Sequence, residues 1–175
     1  MKLHLHDPNV EALVFDFNHF YGNANSILNS PGWYRSEARI IKNSIRTYAP
    51  DGLFWLVLQS NKKGRYPRAK HTGVSCYHYG WVRSEDQMNL KSKKVQKYWG
   101  GDPIKIDYTQ MDQAIIQEFK GSHPAVIKEW LPKDSGLFKT DYSYQLTRKQ
   151  KKHRLMIRLE NLFGLELSKK HFDLL

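Results

Sequence analysis

A chain of 175 residues with 40% hydrophobic and 13% aromatic residues is long enough to bury one ordinary core, so a single domain is expected. Its sequence has no apolar run of about 18 residues, which excludes a membrane-spanning helix, and its single cysteine, Cys76, excludes an internal disulfide bond. The 28 Lys and Arg residues outnumber the 17 Asp and Glu residues, and the net charge of +11 favours an anionic partner: nucleic acid, a membrane surface or a phosphorylated substrate.

Strands are predicted in the first half of the chain, where β-branched and aromatic residues cluster between turn signals. The predicted strands are residues 10–17, 33–41, 53–58 and 74–79. Residues 18–32 are rich in Asn, Gly, Ser and Pro and predict a loop. Since residues 10–17 form an apolar run, we expect a central strand with neighbours on both sides.

Helices are predicted in the second half, where the hydrophobic period changes. The predicted helices are residues 84–99, 109–119, 125–131 and 147–163. Ser84 and Gln87 resemble a capping box at the start of the first helix, and Gly164 is a natural stop for the last one. In that last helix an apolar face is predicted opposite the basic residues; it comprises Leu155, Leu159, Leu162 and Phe163.

The most informative stretch is residues 71–83, HTGVSCYHYGWVR, which runs along a predicted strand and past its end. Four side chains with polar tips follow one another there: Tyr77, His78, Tyr79 and Trp81. Open α/β sheets place ligand-binding side chains at such strand ends, so the stretch predicts one wall of a binding site.

Five stretches, in order, resemble the second half of bacterial family 2 glycosyltransferases. They are LVFDFNHFYGN (13–23), WYRSEARIIKN (33–43), CYHYGWVRSEDQM (76–88), HPAVIKEWL (123–131) and LTRKQKKHRLMIRLENLFGLELSKKHF (146–172). The resemblance implies an α/β fold: an incomplete, mixed sheet of the glycosyltransferase-A type, with strands in residues 10–79, and a helical C-terminal region. Residues 1–83 would be the C-terminal part of a catalytic domain, and residues 84–175 a helical extension with a basic amphipathic helix.

The same resemblance implies transfer of a sugar from a nucleotide-sugar donor to a saccharide or lipid-linked acceptor. In that family a donor-binding half precedes these motifs and holds a divalent metal, Mg²⁺ or Mn²⁺, on an Asp-x-Asp-type motif. No Asp-x-Asp occurs in this sequence. We therefore expect the chain to be inactive alone and to bind no metal tightly. We also expect self-association through an uncovered sheet edge, or a separately encoded donor half.

A catalytic base is expected among the carboxylates, because the acceptor hydroxyl must lose a proton. Asp51, on a turn before a strand, is the first candidate. Asp16 is the second, although a buried, hydrogen-bonded carboxylate explains its place in an apolar strand better than catalysis does. Glu37 lies between Arg35 and Arg39 and is expected to pair with them.

The resemblance further implies that His78 is a metal ligand. Diphosphate and sugar contacts are expected from arginines, which suit bidentate phosphate contacts, and from aromatic rings, which pack on sugar faces. The candidate substrate-binding residues are Trp33, Tyr34, Arg35, Arg39, Tyr79, Trp81 and Arg83.

Two other functions stay open on the sequence. A basic nucleic-acid-binding module would explain the charge and the interleaved aromatic residues. A non-catalytic partner subunit would complete a transferase encoded in two parts. The basic run 148–154 is compatible with contact to an anionic membrane surface or with a solvated helix face. We expect a cytoplasmic protein, peripheral to the inner face of the membrane if it binds lipid.

Overall fold

The computed structural model describes residues 6–50, 52–102, 104–133 and 136–175. The strands of the described part are β1 (Ala12–Tyr21), β2 (Ser26–Leu28), β3 (Ser36–Ile41), β4 (Thr47–Tyr48), β5 (Leu56–Leu58), β6 (Gly64–Arg65), β7 (Arg68–Trp81), β8 (Ile116–Glu118) and β9 (Asp173–Leu174). The helices are α1 (Glu85–Trp99), α2 (Ala125–Lys128) and α3 (Arg148–Phe163), with a 3₁₀ turn at Gln113–Ile115.

The main sheet is mixed. Its strand order is β8-β2-β1-β7-β9, with β3 also paired to β1, and β4-β5-β6 form a small second sheet. β1 pairs antiparallel with β2 and β3, whereas β7 pairs parallel with β9. A mixed sheet with a few helices confirms the predicted α/β content.

The chain divides into two compact units. Unit 1 contains the described residues of 6–17, 32–76 and 168–175, and unit 2 those of 18–31 and 77–167. The long strands β1 and β7 each contribute residues to both units. The predicted boundary between residues 83 and 84 follows from the family resemblance. The two compact units do not test it, and it stays a prediction.

The core of unit 1 lies on both faces of β1, as the apolar run predicted. One buried cluster comprises Ala12, Val14, Ala38, Ala69 and Phe172, and the other comprises Val10, Leu13 and Phe15. β3 follows β1 in register from Asp16 to Ala12, except at a bulge where the residue opposite changes from Ala38 to Ile40. The bulge leaves Arg39 outside the regular ladder, and its side chain is exposed.

Glu11 is a buried charge at the start of β1, and two arginines neutralise it. Arg65 donates from both terminal nitrogens to the two carboxylate oxygens, at 2.7 and 2.5 Å. The backbone N–H of Arg68 donates to Glu11 as well, at 2.8 Å. These contacts lower the pKa of Glu11 from 4.5 to about 2, because they favour the charged form more than burial opposes it.

Unit 2 contains the ends of β1 and β7, the short strands β2 and β8, and the helices. α1 and α3 confirm two predicted helices. α1 begins after its expected cap, Ser84, which accepts from Gln87 N–H, and α3 begins after Thr147, which forms a full capping box with Gln150. Gly164 ends α3 in the left-handed conformation, as predicted. The described part contains no helix that is long and apolar enough to span a membrane.

Two sequence-based assignments in unit 2 are wrong. Residues 109–119 form a 3₁₀ turn and β8 instead of a helix, because Asp112 caps the turn through Ala114 N–H and Ile116 enters the ladder with β2. Part of the predicted loop 18–32 is strand: β1 continues to Tyr21, and β2 follows it.

Replacing Glu11 by Gln should lower the free energy of unfolding at neutral pH by about 2–4 kcal/mol, since buried arginine hydrogen bonds are lost. The wild-type contribution is present above pH 4.5 and is lost as the pH falls toward 2, because the folded pKa is depressed. Urea unfolding at several pH values should therefore show wild type and Glu11→Gln converging over that interval. Glu118→Gln, at an exposed position of β8, is the matched control; a constant difference between wild type and Glu11→Gln would contradict the prediction.

Candidate functional site

The predicted site residues are divided between the two units. Unit 1 contains Asp16, Trp33, Tyr34, Arg35 and Arg39, and unit 2 contains His78, Tyr79, Trp81 and Arg83. Asp51, the first candidate for the base, lies outside the described residues. Each unit therefore presents its own cluster of candidate groups.

Asp16 in unit 1 is hydrogen-bonded to His71, which was not among the predicted site residues. His71 accepts from the N–H of Gly73 through Nδ1, at 3.1 Å, so its Nε2–H donates to Asp16 at 2.9 Å. The expected hydrogen bonding of Asp16 is confirmed. The expected burial is wrong, because the side chains of Asp16 and His71 are 47% and 37% exposed. A carboxylate that is accessible and oriented by an imidazole N–H has the arrangement that a general base requires.

Tyr34 and Arg39, two of the predicted binding residues, do lie together. The Arg39 guanidinium donates to the Tyr34 hydroxyl at 3.1 Å and lies 5.5 Å from its ring centroid. It also lies 4.8 Å from the ring centroid of Phe17, a residue that the sequence did not single out. Burial is the main cause that raises the pKa of Tyr34. The cluster offers a cation on an aromatic surface.

Glu37 has a partner that was not predicted, His171. Glu37 is only 1% exposed, and His171 donates to it from Nδ1 at 2.7 Å. The His171 ring stacks on Phe54, with ring centroids 4.2 Å apart. This buried pair connects β3 to the C-terminal segment inside unit 1 and indicates a structural role for Glu37.

In unit 2, His78 lies against His19. Their Nδ1 atoms are 2.9 Å apart, so one imidazole donates to the other, and His19 is almost fully buried. Gly80 leaves the space for this arrangement, because a Cβ atom there would lie 2.6 Å from Nε2 of His78. The His-Tyr-Gly order is thus explained by packing: residues two apart share one face of a strand.

The opposite face of these strand ends is a stack of aromatic rings around Phe20. The ring of Phe20 is stacked on that of Tyr79 at 4.6 Å and meets that of Phe119 edge-on at 5.0 Å. The Tyr79 hydroxyl donates to Nδ1 of His123 at 2.8 Å. Burial lowers the pKa of His123 and raises that of Tyr79, so both groups favour their neutral forms.

Trp81 continues β7 to the rim of an open cleft in unit 2. The cleft has a volume of about 250 Å³. It lies beside α1, and its lining residues are Trp81, Met88, Lys91, Ser92, Val95, Ile104 and Ile106. The ring of Tyr108 meets the indole of Trp81 edge-on, with ring centroids 6.3 Å apart. Burial raises the pKa of Tyr108 to about 12. The cleft combines one aromatic wall, apolar sides and two polar groups.

The described residues do not by themselves fit Mg²⁺ or Mn²⁺. These ions prefer oxygen ligands, whereas His19 and His78 offer two imidazole nitrogens. No group of three or more His, Cys, Asp or Glu side chains in the described ranges is arranged to hold a metal ion. The role of His78 as a metal ligand stays a prediction.

Three paired histidines were not among the predicted site residues: His19, His71 and His171. Each is joined to a partner 55 to 134 residues away in the chain. Local patterns carry no signal for such pairs. The one available hint was the occurrence of His19 next to aromatic residues in a segment predicted as a loop.

Replacing Gly80 by Ala should displace the imidazole of His78 and break its hydrogen bond to His19. We expect a folded protein that loses about 1 kcal/mol of stability, because a side-chain end can move aside.

Replacing Gly22 by Ala should cost more, since its φ is +72° and a Cβ atom there would lie 2.3 Å from the ring of Phe138. Histidine side-chain NMR, together with thermal unfolding, checks both variants; unchanged His19 and His78 resonances in Gly80→Ala would contradict the packing argument.

Comparison of the chain with protein-family models, curated proteins and solved structures gave no match.

Proposed function

We propose that this chain supplies the acceptor-binding part of an enzyme that transfers a sugar from a nucleotide-sugar donor to a saccharide or lipid-linked acceptor. The five ordered motifs support this proposal. The structural observation that carries the proposal is the Trp81 cleft. Trp81 ends strand β7, which contains most of the informative stretch 71–83.

The composition of the cleft suits an acceptor of mixed polarity. The indole of Trp81 offers a face for the C–H groups of a sugar ring. Lys91 and Ser92 offer hydrogen-bond donors on the α1 side. The apolar side chains Val95 and Ile104 suit an aglycone or a lipid tail.

Two other candidate groups are suited to separate roles in sugar transfer. Asp16, oriented by His71, is the described carboxylate best suited to remove a proton. Arg39, held on Phe17 and Tyr34, is suited to a phosphate oxygen. These roles are assigned to each cluster separately.

Saccharide binding tests the proposal. Isothermal titration of the chain with a panel of mono- and oligosaccharides, free and linked to a short alkyl chain, should show saturable binding. Trp81→Ala should weaken it about tenfold or more, through the loss of one aromatic contact. Val95→Asp, at an exposed rim position, should weaken it as well without disturbing the core.

Lys94→Gln with Lys97→Gln, at exposed positions of α1 outside the cleft, is the control and should bind as wild type. Binding of oligonucleotides that falls steeply with salt, without saccharide binding, would contradict the transferase proposal and favour the nucleic-acid module. The absence of any saccharide binding would contradict it equally.

A further inference from the structure

Four apolar side chains of helix α3 are exposed to solvent. The exposed fractions are 56% for Leu155, 38% for Leu159, 74% for Leu162 and 64% for Phe163. The predicted arrangement, with an apolar face set opposite the basic residues, is wrong. Arg148 and Lys152 lie on the same side of α3 as Leu155. Lys152 follows Arg148 by four positions and Leu155 follows it by seven, and residues at these spacings share one side of a helix.

Polar contacts on the other side of α3 fix this orientation within unit 2. Arg154 donates twice to the buried carboxylate of Asp112, with both distances 2.6 Å. Gln150 donates to the carbonyl of Gln110 at 3.2 Å, and Glu160 accepts from the N–H of Leu167 at 2.6 Å. The helix is therefore attached through its polar side.

The outer surface of α3 is divided along the helix axis. The first turns are basic, with Arg148, Lys149, Lys151 and Lys152 all exposed. The later turns expose the apolar side chains of Leu155, Leu159, Leu162 and Phe163, together with the polar side chains of Arg158 and Asn161. The one acidic residue of the helix, Glu160, is buried on the inner side. Cationic and apolar groups thus lie side by side, with no anionic group among them.

We propose that this outer surface of α3 binds an anionic phospholipid membrane. The basic turns would contact lipid headgroups, and the leucines and Phe163 would enter the boundary between headgroups and acyl chains. A bilayer surface satisfies both halves at once. Nucleic acid would use the basic turns but leave the leucines in water.

A second copy of the chain fits this surface poorly. An antiparallel pairing of two α3 helices would set the basic turns of one against the apolar turns of the other. A parallel pairing would set basic turns against basic turns. The inference is independent of sugar transfer, because it depends only on the contacts and exposure of α3.

Vesicle cosedimentation of the full chain tests the inference. Wild type should bind vesicles of phosphatidylcholine mixed with phosphatidylglycerol and should not bind phosphatidylcholine alone. Leu162→Ser with Phe163→Ser should reduce the partition coefficient about tenfold or more. Lys151→Gln with Lys152→Gln should reduce it by a similar factor. All four positions are exposed, so folding should be unaffected.

The matched controls lie on α1. Leu90→Ser with Tyr98→Ser removes exposed apolar groups, and Lys94→Gln with Lys97→Gln removes exposed charges; both should bind vesicles as wild type. Absence of binding to the anionic vesicles would overturn the inference. So would unchanged binding after Leu162→Ser with Phe163→Ser, or self-association that this variant abolishes while no vesicles are bound.

Discussion

The double burial of β1 is the constraint on which the fold of unit 1 depends. Residues 12–15 are buried on both faces, so the strand needs hydrogen-bonded neighbours at both edges. β3 supplies one edge, and β7 supplies the other, through the backbone bond from Glu11 N–H to the Arg68 carbonyl. The same strand brings a buried carboxylate into the core, which makes Arg65 an obligatory partner.

Strong local signals made part of the fold predictable. Ser84 lies within three residues of the N–H group that it caps and marked the start of α1 correctly, and Gly164 marked the end of α3. The central strand followed from its apolar run. Residues 109–119 failed because Asp112, which caps a 3₁₀ turn, is held by Arg154, 42 residues further along the chain. Periodicity cannot report such a contact.

The sequence indicated several residues of the candidate site, but not which side chains they contact. Aromatic and histidine residues at the end of β7 were indicated by the sequence, and His78, Tyr79 and Trp81 do occupy distinct polar or aromatic surroundings. The imidazole beside His78 was not indicated. The orientation of α3 was left open by the sequence, because a hydrophobic pattern tells which residues share a face but not what that face meets. Contacts of Arg154 and Gln150 decide it.

The proposed transferase role and the membrane contact both assign ligands to unit 2, one to the Trp81 cleft and one to the outer surface of α3. The most direct test of acceptor binding in the Trp81 cleft is chemical-shift mapping of the isotopically labelled chain, titrated with an alkyl-linked saccharide. We expect the largest shifts at the indole of Trp81 and at the amides of Lys91, Ser92 and Ile104. Saturable shifts centred elsewhere, with these four residues unchanged, would contradict it.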